Sequence, residues 1–295
     1  MARKLITVIG GANTDICGAP LSRLERRESN PGRISIGFGG VGRNIAHDLV
    51  LLDTEVRFIT ALGEDVFGRA VMDGCLALGM DMSMTRTLRS ERSSVYMYVT
   101  DERGDMDVAV ADMDIVEKLD PEYLALCMER VNDSDAVVID GNLSAAAIEF
   151  IAGRCTAPLY ADPVSCAKAP RMRAVLGRLA AIKPNLAEAR TLTGADSAED
   201  CADALIAAGA GRVLISLGAR GLLAAEGDER ILLPCAGGEI VNTNGAGDAV
   251  TAALVWAGVN GLGLESAARA AQRSGAISAA SAETNSPLLS AEALI

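Results

Sequence analysis

From Ala136 onward the chain repeats one pattern: a short apolar run, a polar or glycine stop, then a helix-length segment. The runs are Ala136 to Ile139, Pro158 to Ala161, Ala181-Ile182 and Arg212 to Ser216. Their stops are Asp140-Gly-Asn142, Asp162-Pro163, Lys183-Pro-Asn185 and Gly218. Runs this short and this apolar suit strands buried on both faces, and their alternation with helices predicts an α/β protein with a mainly parallel sheet. Ligands of such sheets bind beyond the carboxyl ends of the strands, so the stops are where chemistry is expected. Leu5-Ile-Thr-Val-Ile9, ending in Gly10-Gly11, carries the pattern back to the N-terminus as a buried first strand.

Two places break the pattern. Arg33-Ile-Ser-Ile-Gly-Phe38 alternates apolar with polar or small residues, as a strand with one exposed face does. Ser94-Val-Tyr-Met-Tyr-Val99 alternates as well, and Asp101-Glu-Arg-Gly104 joins it to Met106-Asp-Val-Ala-Val110 in a hairpin pattern. The expectation is a single domain over residues 1–295 with a small sheet standing off the main body as a lid or interface. That sheet is drawn from about residues 14–38 and 90–112.

Half of the 295 residues are hydrophobic but only 3% are aromatic, so the core must be built from Ala, Val, Leu and Ile. The net charge of −12 argues against a nucleic-acid partner, which needs a basic face. A small anion would need local donors or a metal ion. Seven scattered cysteines without a CxxC pair favour reduced thiols in a cytosolic compartment. The N-terminal apolar run is too short for a signal peptide and no run reaches membrane-span length, so a cytoplasmic protein with no membrane partner is expected. His47 is the only histidine, which leaves no Ser-His-Asp triad and no His-rich metal site. No GxxxxGK[ST] loop and no HRD or DFG set is present.

Thr243-Asn-Gly-Ala-Gly-Asp248 precedes Ala249 to Ala257, a strong helix pattern. Gly245, Ala246 and Gly247 would lie at a helix start, where unpaired N–H groups and the dipole favour an anion. Asp248 falls in the first turn, placed either to accept a proton from an attacking hydroxyl or simply to complement the dipole. Gly39-Gly40-Val-Gly-Arg43-Asn44 opens the first long helix. Gly40 N–H and the Asn44 amide could bind vicinal hydroxyls, and the same residues equally suit a tight turn with Asn44 as a cap. Asn13 and Asp15, after the first strand, are turn formers or hydroxyl binders. Lys183-Pro-Asn-Leu-Ala-Glu188 sets Asn185 and Glu188 on one helix face, either as oxygen ligands for Mg²⁺ held through water and phosphates or as a capping pair. Ser216-Leu-Gly-Ala-Arg-Gly221 is a glycine loop suited to a nucleotide or to a hairpin turn.

In this order and spacing the set resembles the ribokinase (PfkB) carbohydrate kinase family over nearly the whole chain. Gly39 to Asn44 looks like its N-terminal signature and Asn242 to Asp248 like its C-terminal DTxGAGD signature. The resemblance implies a ribokinase-like three-layer α/β/α fold, and ATP and Mg²⁺ as cofactors with K⁺ as a further candidate. It implies Asp248 as catalytic base, with Gly245, Ala246 and Gly247 as anion hole. Asn185 and Glu188 would serve the Mg²⁺–phosphate site, and Lys183, Ser216, Gly218, Gly221 and Asn244 the nucleotide. Asn13, Asp15, Gly39, Gly40, Arg43 and Asn44 would meet the sugar. Asn242 stands where the family usually has Asp, a position linked to monovalent-cation and nucleotide-loop geometry. Gly10 to Asp15, Ser29-Asn-Pro-Gly32, Asp112-Met-Asp114, Asp162-Pro-Val-Ser165, Thr284-Asn285 and Asn242 itself are similar to the subgroup that phosphorylates the 5′-hydroxyl of pseudouridine. A small-molecule nucleoside partner is therefore expected, and the half-exposed strands of the lid, whose faces need a partner, predict a homodimer.

Overall fold

The computed structural model describes residues 3–238 and 240–295. Its strands are, in chain order, β1 (Leu5–Ile9), β2 (Asn13–Pro20), β3 (Gly32–Gly39), β4 (Glu55–Ile59), β5 (Ala61–Gly63), β6 (Arg86–Leu88) and β7 (Val95–Thr100). There follow β8 (Met106–Asp112), β9 (Ala136–Asp140), β10 (Leu159–Asp162), β11 (Leu179–Ile182), β12 (Arg212–Ser216), β13 (Leu222–Glu226) and β14 (Glu229–Leu233). The helices are α1 (Val41–Leu51), α2 (Val66–Ala77), α3 (Pro121–Asn132), α4 (Ala145–Arg154), α5 (Leu186–Thr193), α6 (Ala198–Ala207), α7 (Ala246–Val259), α8 (Leu264–Ala279) and the short α9 (Ala291–Leu294).

The main sheet runs β14-β13-β12-β11-β10-β9-β1-β4. Strands β12 through β4 are mutually parallel, and β13 and β14 add an antiparallel edge. The period of two along each strand sends alternate residues into two separate cores. Val137, Ile139, Val213 and Ile215 join one core with α3 to α6, whereas Val138, Leu214, Ile6 and Val8 join the other with α1, α2, α7 and α8. Three layers result because both faces of the sheet are apolar and each must be covered. Between β10 and β11 the crossover is a 3₁₀ segment, Ala169–Arg178, with Pro170 in its first turn, which a shorter connection tolerates.

The remaining strands make a four-stranded sheet, β3-β2-β7-β8, with β2 and β7 parallel and the outer pairs antiparallel. Its register sorts side chains by face: Ile16, Ile36, Met97 and Val110 share one rung face, and Asp15, Tyr96 and Ala111 share the opposite one. Strand β2 leaves the main sheet straight after β1 through Gly10-Gly-Ala12, and β3 runs directly into α1. The small sheet is thus rooted where the carboxyl ends of β1 and β9 open. The cysteines are free thiols, with Cys75, Cys127, Cys155 and Cys201 buried as core fillers.

Candidate active site

The site is built on the N-terminus of α7. Gly245 caps it at φ 81°, a left-handed conformation costly for any residue with a side chain. An added Cβ there would also lie 2.2 Å from the Thr284 carbonyl oxygen, so glycine is required twice over. In the first turn Ala246 N makes a long bond to the Thr243 carbonyl at 3.4 Å, while the N–H groups of Gly247 and Asp248 have no backbone partner and form a donor pair. Behind them sits Lys183, whose Nζ lies 3.1 Å from the point a Cβ on Gly247 would occupy. Lys183 pairs with Asp162 Oδ2 at 3.0 Å, both buried. Burial by itself would lower the ammonium's pKa, but the carboxylates of Asp162, Glu188 and Asp248 outweigh it and hold the value above the ordinary lysine range. A permanent positive charge therefore underlies the amide pair.

Asp248 is buried in the first turn of α7, and its Oδ2 accepts a hydrogen bond from Asn44 Nδ2 at 2.8 Å. Burial, and then the Asp162 carboxylate, push its pKa up to about 7, against the opposing pull of Asn44 and Lys183. A carboxylate poised there can take a proton at neutral pH. Thr251, one turn further along α7, donates Oγ1 to Asp162 Oδ2 at 2.7 Å, and Asp162 Oδ1 accepts from Val164 N at 2.8 Å. The end of β10 thus clamps both α7 and Lys183.

The opposite wall comes from β1, β2 and α1. Asp140, at the end of β9, accepts from the N–H groups of Gly11 (2.9 Å) and Gly42 (2.8 Å), pinning the turn after β1 against the start of α1. Gly40 caps α1 at φ 95°, and an added Cβ would meet the Gly11 carbonyl oxygen at 2.5 Å. The helix begins at Val41, so Asn44 is not a cap; its side chain is free to reach Asp248. Asn13 Nδ2 donates to Asp15 Oδ1 at 2.6 Å. Asp15 covers Gly39, and burial raises its pKa while Asn13 and Arg43 pull the other way. Arg43 is committed internally, donating to the Phe38 carbonyl (3.1 Å) and to Asn285 Oδ1 (2.9 Å).

On the far side of Lys183, Asn185 and Glu188 form a complete capping box. Asn185 Oδ1 accepts from Glu188 N at 2.9 Å and Glu188 Oε2 from Asn185 N at 2.8 Å. The box occupies one Glu188 oxygen and leaves the second for a hydrated cation. Among the described residues no three His, Cys, Asp or Glu side chains gather closely enough to hold a metal alone. A divalent ion here would depend on phosphate and water ligands, as Mg²⁺ does. Ser216 sits beside this cap through a bridge to Asn185, and its Oγ is buried without a partner. The loop after it is the β12–β13 hairpin connection. Gly218 opens to free space, whereas a Cβ on Gly221 would collide with the Leu233 carbonyl at the end of β14. Asn244 is exposed and donates its N–H to Asn242 Oδ1 at 3.0 Å; Asn242 Nδ2 in turn donates to the Ala282 carbonyl at 3.3 Å.

The structure therefore brings Asp248, Asn44, Lys183 and the Gly245–Gly247 turn together directly. Asn13, Asp15, Gly39 and Gly40 line the adjoining wall, and Asn185, Glu188, Ser216 and Gly218 lie on the other side of Lys183. Asp140 was visible as a polar strand stop and Asp162 as a strand stop within the Asp162-Pro-Val-Ser165 likeness, both without roles. Thr251 and Asp48 carried no local signal that set them apart, and Asn285 stood out only within the Thr284-Asn285 likeness to the subgroup.

The model of the pfkB family of carbohydrate kinases matches residues 3–291. The chain is 32% identical to the pseudouridine kinase of Escherichia coli (strain K12), covering 98% of this chain and 94% of that protein. A carbohydrate kinase from Agrobacterium tumefaciens superposes with a TM-score of 0.90 at 31% identity, covering 99% of this chain and 95% of that one. The Arabidopsis thaliana ribokinase solved with ribose and ATP shares the fold, with a TM-score of 0.84 at 22% identity over 100% of this chain and 98% of that one. The chain belongs to the pfkB family of carbohydrate kinases. It is accordingly a phosphotransferase with a ribokinase-like α/β fold.

Proposed function

We propose that the protein transfers the γ-phosphoryl group of ATP to the 5′-hydroxyl of pseudouridine, giving pseudouridine 5′-phosphate and ADP. The observation that carries the reading is the Asp248 carboxylate, held by Asn44 at 2.8 Å in the first turn of a glycine-capped helix. Near-full-length likeness to a pseudouridine kinase and the subgroup motifs, Asn242 among them, support the choice of substrate.

Asp248 orients the 5′-hydroxyl and takes its proton. The first-turn amides of α7 and the charge of Lys183 stabilise the negative charge on the transferring group, fixed in place before reaction. Asp15, with Asn13, accepts hydrogen bonds from the ribose diol beside the Gly39-Gly40 backbone. Ser216 and the open face at Gly218 receive the nucleotide. Mg²⁺, when bound, neutralises phosphate charge, and the second Glu188 oxygen with Asn185 would hold it through water. The small sheet closes as a lid with Asp15, Tyr96 and Tyr98 facing the nucleoside, excluding water from the transfer.

The outward face of that sheet exposes Ile34, Ile36, Met97, Val108 and Val110 at 48–76% of their full areas. A contiguous apolar face of this kind marks an interface, and a second copy of the chain is the partner that fits it. The β2–β3 loop carries Arg23, Arg26 and Arg27 against Glu25 and Glu28, and the β7–β8 loop carries Asp101, Glu102 and Asp105 against Arg103, so the two loops differ in the sign of their net charge at the rim. Light scattering should give twice the 30.5 kDa chain mass, and Ile36→Lys should halve it; a monomeric parent protein contradicts the dimer. Among the described residues no helix is long and apolar enough to cross a membrane, and the reading places the enzyme in the cytoplasm.

Initial rates of ADP formation with pseudouridine, uridine and ribose test the substrate. The expected order has pseudouridine first by kcat/KM. Preference for uridine or ribose would move the substrate within the family, and Asp248→Asn retaining most of kcat would remove the base.

A further inference from the structure

Asp48 lies one turn beyond Asn44 on α1 and is 1% exposed. Its Oδ1 accepts from Asn285 Nδ2 at 2.9 Å, while its Oδ2 is sealed from solvent without a partner. The same Asn285 Nδ2 donates to the Asn44 carbonyl at 3.0 Å, and Asn285 Oδ1 accepts from Arg43 Nη1 at 2.9 Å. One amide thus joins three residues of α1 to the segment after α8. That segment also touches the other half of the site, because the Thr284 carbonyl packs against Gly245, the cap of α7. The path Asp48–Asn285–Asn44–Asp248 is continuous, and it ends on the carboxylate that meets the hydroxyl.

The charges around Asp48 can be counted. Arg43 and His47 share its helix, Asp248 faces it from α7, and Asp15 approaches Arg43 from β2. His47 is neutral near pH 7, since burial and then Arg43 bring its pKa down to about 4. Arg43 therefore faces two carboxyl groups, Asp48 and Asp15, with the Cys75 thiol of α2 also against it, while the cation that acts on Asp248 is Lys183. Burial, with Asp248 adding to it, holds the Asp48 carboxyl well above the usual range. A protonated acid also explains an oxygen that no cation or donor meets, because an unpaired buried carboxylate would be far more costly than a neutral group.

We propose that Asp48 is a positioning residue for phosphoryl transfer, acting through Asn285 to lock the first turn of α1 so that the Asn44 amide stays on Asp248. It rests on the reading of Asp248 as the base. Asp48 works as a neutral group: its shape and its acceptor oxygen matter, not a charge.

Two substitutions separate these properties. Asp48→Asn keeps the acceptor and removes the ionisable group, whereas Asp48→Ala removes both. Steady-state kinetics over about pH 5.5 to 9 should show Asp48→Asn keeping kcat within about twofold of the parent. Asp48→Ala should lower kcat by roughly tenfold or more while leaving the KM for ATP nearly unchanged, the signature of lost alignment at the reacting atoms. Its acidic limb should move to higher pH, because the Asn44 donor that lowers the Asp248 pKa is no longer held. Asn285→Ala should reproduce the same split, and the double variant should lose no more than either single one. An Asp48→Ala enzyme with parental kcat and acidic limb overturns the proposal, and so does an Asp48→Asn enzyme as impaired as Asp48→Ala. If Asp48→Ala melts too low to assay, the Asn285→Ala pH profile decides. Asp248→Asn in the same assay tells the two readings apart: its retained activity removes the base, whereas an effect-free Asp48→Ala beside a dead Asp248→Asn removes only the positioning role.

Discussion

Asn44 on α1 donates its side-chain N–H to the Asp248 carboxylate of α7 at 2.8 Å, joining residues 204 positions apart. The amide is buried and the bond is to an ionisable group, so it favours the charged form of Asp248 and would tune that group in the role of base proposed for it. Replacement by Asn44→Leu removes this pull while burial and Asp162 continue to push the pKa up. The acidic limb of kcat/KM, expected near pH 7 in the parent, should shift upward in the variant. A pH–rate profile checks it, and an unchanged limb would show that the bond does not tune the base.

Asp248 also taxes the fold. Its pKa of about 7 in the folded state lies above the ordinary carboxylate value of 3.8. From pH 4 to 7 the unfolded chain gives up this proton while the folded one keeps it, so its contribution to stability falls as pH rises through that window. Above pH 7 the full cost of a buried carboxylate is present. Asp248→Asn, neutral throughout, should therefore melt higher than the parent at pH 8 and match it near pH 4. The gain should be roughly 2–4 °C per kcal/mol relieved, and a variant melting below the parent at pH 8 contradicts the account.

Lys183 and Asp162 are both buried and 3.0 Å apart. Lys183→Met would strand the Asp162 carboxylate with only Thr251 Oγ1 and Val164 N for partners. Breaking one side of such a pair costs about 3–5 kcal/mol. Urea denaturation should show a loss of that order, and the acidic limb should also rise because Lys183 helps hold the Asp248 pKa down.

Gly245→Ala combines a left-handed backbone with a Cβ that the Thr284 carbonyl does not admit. The conformation alone costs about 1–2 kcal/mol, and relief of the clash must move the α7 cap away from segment 284–285. Turnover should fall far more than the melting temperature would suggest. Gly194→Ala, at the C-cap of α5, where φ is 79° and a Cβ meets open space, serves as the contrast.

Much of the scaffold was legible because it follows from local rules. The apolar runs ending at Asp140, Asp162 and Ser216 had to be strands buried on both faces, and Ala249 to Ala257 had to be a helix with glycines at its mouth. Asn185 and Glu188 were legible as either a capping pair or oxygen ligands; the fold makes the cap. Asn44 resembled a cap only because the helix start cannot be read to one residue, and its true partner lies far along the chain.

Sequence by itself determined the strand–helix order, the glycine turn at 245–247 and the carboxylate beside it, since strand period, helix capping and left-handed glycines depend on neighbours in the chain. Tertiary structure alone decided which polar strand stops meet: that Asp162 grips Lys183 and Thr251, that Asp140 pins Gly11 to Gly42, and that Asn285 reaches back 237 residues to Asp48. Those contacts arise only when parallel strands bring distant loops to one edge of the sheet and bury them, and that burial is the main cause that lifts the Asp248 pKa to about 7.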